Sequence, residues 1–154
     1  MPRALALTAL AAALVACETD LPEEHAGRTE DVDAFATRVQ PVLARDCAFP
    51  TCHGALHAGL RLYAVGRSRQ VPEPSLDELL FEPLTNEELA ANLAAVLPFV
   101  DPGAPDQSEL VERALPRDEG GRGHGGGVLF ASRDDPDYRA LVRWIADEVE
   151  EAAP

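Results

Sequence analysis

Apolar positions along the chain fall into a few helical stripes separated by polar stretches rich in proline and glycine. The clearest stripe lies near the C-terminus. There Tyr138, Leu141, Val142, Ile145 and Val149 recur at three- and four-residue intervals with Trp144 alongside, which is one face of an amphipathic helix. Asp135 is placed to cap it and Pro136 suits its first position. A second stripe of Phe35, Val39, Val42 and Leu43 predicts a helix over 33–46. Pro41 interrupts it, which predicts either a kink or a helix that begins near that proline. Thr85 with Glu88 three positions later has the form of a capping box. The helix it predicts, over 86–97, carries Leu89, Leu93, Val96 and Leu97 on one face. A shorter helix is expected over 107–115.

The stretches between have their own patterns. Residues 59–63 suit a short extended piece. "VPEPSLDELLFEPL" is punctuated by proline and leaves room for one or two helical turns. "GGRGHGGG" excludes regular structure, because each glycine ordered there carries a large entropic cost. The class expected is small and all-α, with long Pro/Gly-rich loops. At 154 residues the chain suits one small domain.

The first residues differ from the rest. After Arg3 an apolar run extends from Ala4 to Ala16, broken only by Thr8. It is too short for a transmembrane helix and fits the hydrophobic region of a signal peptide. It ends in Leu14-Val15-Ala16-Cys17, which resembles the bacterial lipobox, whose cysteine is lipidated and becomes the mature N-terminus. The implied organisation is a signal peptide over 1–16, an acidic tether over 17–34 and a folded domain over 35–152. Acyl chains on Cys17 would tether the protein to a membrane of the cell envelope, on the periplasmic or outer-membrane face. His25 falls in the tether as a solvated side chain.

Composition narrows the partners. The formal charge is −14, which excludes nucleic acid as a partner because its phosphates would be repelled. The same acidity disfavours electrostatic binding to anionic headgroups.

The chemistry concentrates in "CAFPTCHG". With Cys17 lipidated, Cys47 and Cys52 are the two remaining cysteines, and His53 follows the second. C-x-x-C-H is the attachment signal for c-type haem: two thiols meet two vinyl groups and the adjacent histidine ligates the iron. Here the spacing is C-x4-C-H. The Cys52-His53 adjacency is intact, while the loop between the thiols must bulge, with Pro50 available to shape it. The same residues allow a Cys47–Cys52 disulfide, which an oxidising compartment permits. They also allow zinc, held with one further histidine, although zinc sites usually pair two short ligand clusters.

The surroundings of the clasp carry a resemblance. "RVQPVLARDCAFPTCHGALHAGLRLY", then "DPGAPDQSEL", then the closing "DYRALVRWI" resemble, in that order, the segments of small bacterial cytochrome c domains of the planctomycete and myxobacterial type. The resemblance spans roughly residues 35 to 147. It implies a cytochrome c-like helical domain whose first and last helices cross. It also implies covalent haem c on Cys47 and Cys52, with His53 as proximal iron ligand. Relatives often supply a methionine as sixth ligand from the later loop. This chain's one methionine is Met1, and the loop holds His124 instead, which makes His124 the expected sixth ligand. His57 lies close to His53 in sequence and is expected on the surface or in a pocket wall. Arg61 is a candidate partner for a haem propionate, or else an exposed arginine.

The function expected is a membrane-anchored monohaem cytochrome passing single electrons to or from a basic redox partner. The alternative is a binding or structural lipoprotein clipped by the Cys47–Cys52 disulfide, without haem. A haem enzyme is a further possibility, but no acid–base pair stands out. An electron carrier is favoured over an enzyme.

Overall fold

The computed structural model describes residues 32–146. The expected signal peptide, the Cys17 lipidation site, His25 and Val149 lie outside the described residues. Within them the chain is helical and contains no strand; Ala64 and Ser68 form one isolated bridge. No helix among the described residues is long and apolar enough to cross a membrane.

The first helix, α1, runs over residues 32–47 and passes straight through Pro41. It does so by alternating α-helical turns, Val32–Ala34 and Gln40–Val42, with wider π turns, Phe35–Val39 and Leu43–Cys47. A proline removes one donor and pushes away the carbonyl four residues earlier. The wide turns answer this by closing bonds five residues apart: the N–H of Gln40 donates to Phe35 and that of Ala48 to Leu43. The break expected at Pro41 is therefore a change of helical pitch. Val32, read from the sequence as tether, already belongs to this helix and packs on the core.

Helix α2 is a single short piece, Leu76–Leu80, started by a capping box of Ser75 and Glu78. Helix α3, Asn86–Val96, has the expected box of Thr85 and Glu88 and runs on into a 3-10 turn over Leu97–Phe99. Helix α4, Glu109–Glu112, is shorter than the 107–115 predicted, because residues 105–107 form a separate 3-10 turn. Helix α5, Pro136–Ile145, is capped by Asp135, whose side chain accepts from the Asp137 N–H at 2.9 Å.

Helix α5 packs on α1. Trp144 lies 5.8 Å from the ring of Phe35, and Arg45 reaches Asp137 at 2.6 Å. Phe35, Val39 and Leu43 of α1 meet Leu93 and Val96 of α3 and Leu141 and Ile145 of α5 in one core. Leu89, expected on the buried face of α3, is only half-buried, whereas the polar Glu88 and Asn92 are buried completely.

Those two polar residues organise the long loops. Asn92 accepts from the Tyr63 N–H at 2.8 Å and donates to the Tyr63 carbonyl at 2.8 Å and to Gln40 Oε1 at 2.8 Å. Gln40 adds a bond to the same carbonyl at 3.1 Å. The segment 60–63, expected to be extended, is irregular, and the backbone N–H and carbonyl of Tyr63 are satisfied by these side chains as a sheet neighbour would satisfy them. Glu88 receives Arg69 at 2.8 Å, both buried, along with the N–H groups of Gln70 and Thr85.

Candidate functional site

The clasp begins where α1 ends. The N–H of His53 donates to Cys47 at 3.2 Å, and those of Cys52 and Gly54 converge on the Phe49 carbonyl at 2.8 and 2.9 Å. Gly54 has a steric reason: a Cβ there would stand 2.6 Å from the Ala48 oxygen. The four-residue bulge is clamped from outside. The Arg67 guanidinium stacks 3.6 Å from the Phe49 ring centre and donates to the carbonyls of Ala44 and Arg45 at the end of α1.

His53 is held at both ends. Its carbonyl accepts from the Leu62 N–H at 2.7 Å, and its Nδ1 stands 2.8 Å from the Leu60 carbonyl. A carbonyl oxygen only accepts, so Nδ1 donates to it, and in the neutral ring the lone pair is then on Nε2. This is the arrangement that orients a metal-binding imidazole and raises its basicity.

Cys47, His53 and His124 all line one cleft of about 340 Å³, within the range of cofactor pockets. Its apolar walls come from Leu60, Phe99, Leu110 and Leu129. Its charged groups are Glu109 and Arg113, paired one helical turn apart at 2.5 Å. Burial, with the neighbouring Asp46 charge adding to it, pushes the Cys47 thiol up to about 12, so it is a neutral thiol at physiological pH.

His124 is held loosely. It sits in a turn closed by the Gly127 N–H on its carbonyl at 3.1 Å, between Gly123 and Gly127 at φ +70° and +83°. Its Nδ1 is buried and finds no hydrogen-bond partner. The ring also borders a second hollow, next to Leu115, Pro116 and Val128.

The other sequence candidates fall elsewhere. Cys52 is exposed and is not on the cleft lining; Cys47 and Cys52 are free thiols. His57 is exposed. Arg61 stacks on Tyr63 at 4.9 Å and does not line the cleft; the arginine that does is Arg113. Sequence reading missed Arg113, although Glu109 and Arg113 four apart on a helix were a legible pair. Among the described residues no three His, Cys, Asp or Glu side chains form a metal-binding cluster.

The cleft gathers the His53 imidazole, a second histidine with an unsatisfied nitrogen and the Cys47 thiol between apolar walls, while Cys52 lies off its lining and Arg113 is already paired with Glu109. Comparison of the chain with protein-family models, with curated proteins and with solved structures finds no match in any of the three.

Proposed function

We propose that this chain is a lipid-anchored monohaem c-type cytochrome of the cell envelope, a carrier of single electrons. The observation that carries the proposal is the lock on His53. Its Nδ1–H is engaged by the Leu60 carbonyl at 2.8 Å, and the residue lines the same apolar cleft as Cys47 and His124.

Haem c, when bound, supplies a one-electron iron couple. The chain's own residues do the rest. Cys47 on the cleft and Cys52, exposed off its lining, would hold the group covalently. His53, oriented by Leu60, would ligate through Nε2. His124 would be the second histidine ligand, and two histidines would favour a lower potential than histidine with methionine. Leu60, Phe99, Leu110 and Leu129 would keep water from the group, and the paired Glu109 and Arg113 are the charged side chains of the cleft. Cys17 carries the lipid that tethers the protein to the membrane, and the acidic surface steers a basic redox partner.

The test is the protein produced in a host that matures c-type cytochromes. Expected are a haem absorbance spectrum and haem that stays with the chain on a denaturing gel, since thioethers survive denaturation. A haem-free chain with a Cys47–Cys52 disulfide from that host would establish the clipped lipoprotein instead.

A further inference from the structure

The segment carrying α2 is presented in an unusual way. None of the five residues of α2 is buried. Leu76 is 68% exposed, Leu80 38% and the adjoining Phe81 73%. Leu76 and Leu80 are one turn apart and share a helix face. A helix this short has no stability of its own, and here no buried side chain anchors it.

Its backbone is held instead. Ser75 and Glu78 close the capping box at 3.2 and 2.8 Å, and the Gly66 N–H donates to the Leu79 carbonyl at 2.6 Å. The buried Arg69 donates to the carbonyl of Glu78 and, at 3.0 Å each, to those of Glu82 and Pro83. Arg69 is in turn fixed by Glu88. The main chain is gripped from the protein side while the apolar side chains face water, which is preorganisation for contact with something else.

We infer that Leu76, Leu80 and Phe81 form a docking surface for a basic protein, one whose apolar patch is rimmed by Lys or Arg. This stands apart from the haem reading. Charge selects the occupant. Residues 70–84 contain Glu73, Asp77, Glu78 and Glu82, all exposed, and no basic residue. A second copy of the chain would bring the same acids against them, and an anionic bilayer would do likewise. A contiguous exposed apolar patch with a charged rim marks an interaction site, where scattered apolar residues do not.

The experiment uses the full chain and a synthetic amphipathic helix with Leu on one face and Lys on the other, beside a twin carrying Glu for Lys. Binding is read by fluorescence anisotropy at low and high salt. The variant Leu76→Ser/Leu80→Ser/Phe81→Ser leaves charge, caps and buried side chains untouched; Leu76→Ala/Phe81→Ala serves if the triple variant loses its circular dichroism. Expected are binding of the Lys helix, weakened by salt, at least about tenfold loss in the variant as for hot-spot residues, and no binding of the Glu twin. Equal binding to wild type and variant, equal binding of the twin, or no binding at all overturns the inference. So does self-association in sedimentation that the variant abolishes, which would identify a second copy. Vesicle binding that the variant abolishes would identify a lipid surface and overturn it too.

Discussion

His53 and His124 stand on the same cleft but are held in opposite ways. The His53 ring is bonded to Leu60, its backbone to Leu62 and Cys47, and the segment 60–63 behind it is pinned by Asn92 and Gln40. The His124 ring has a buried nitrogen without a partner and stands in a loop of glycines. The first wall is finished by the fold alone. The second retains an unsatisfied polar atom, which is costly where it is buried. The difference teaches that the fold determines the setting of one histidine and leaves the other adjustable, so damage to the two walls should read out differently.

The largest effect should come from Glu88→Gln. It leaves the Arg69 charge buried without a counter-ion, at a cost of about 3–5 kcal/mol, read by denaturant unfolding at pH 7. Acid should reach the same state in the wild type. Burial works to raise the Glu88 carboxyl, but Arg69 and the N–H groups of Gln70 and Thr85 outweigh it, and its pKa lies below the ordinary 4.5. A depressed carboxyl contributes stability that is complete above the unfolded value and lost as pH falls through the folded one. Wild type should therefore lose stability below about pH 4.5, and Glu88→Gln should lose less over the same range. Equal acid sensitivity in the two would show that the pair is not responsible.

Asn92→Ala breaks the His53 wall more locally. It strands the Tyr63 N–H and leaves the Tyr63 carbonyl to Gln40 alone, and should cost about 1–3 kcal/mol. Hydrogen exchange should show the Leu62 amide losing protection. A stability change under about 0.5 kcal/mol, typical of surface sites, would mean that the wall does not depend on Asn92.

His124→Ala should do the reverse. Stability should stay within about 0.5 kcal/mol, while the haem-loaded protein turns from low-spin towards high-spin and binds small exogenous ligands. An unchanged low-spin spectrum would remove His124 as a ligand. Gly126→Ala should be the mildest: a Cβ there would stand 2.8 Å from His124 Nε2, so the ring must shift. The expected outcome is a partial version of the His124→Ala spectrum with stability unchanged, and a spectrum identical to wild type would show that the ring adjusts freely.

Much was legible in the sequence because it is local. The Thr85–Glu88 box, the Asp135-Pro136 start and the stripe of α5 are set by neighbours within a turn or two, and the structure has them where the pattern predicts. Cys47, His53 and His124 could be named from residue type and order, and the expectation that His53 and His124 share a site comes from the resemblance, not from any local pattern. At Pro41 the sequence predicts a kink or a helix start and not a pitch change, since proline's missing donor is local but the wide turns that absorb it are stabilised by packing on α3 and α5. Asn92, Arg67 and Arg113 went unassigned, and Glu88 was legible only as a cap, not as the partner of Arg69. Each acts on backbone or side chains that folding brings near, and an isolated polar residue on a helical face looks solvated until the tertiary structure buries it. The sequence by itself determined which segments are helical and which side chains could carry chemistry. Only the tertiary structure decided which of them share a wall, because hydrogen bonds such as Asn92 to Tyr63 join residues far apart in the chain, and no local pattern encodes that pairing.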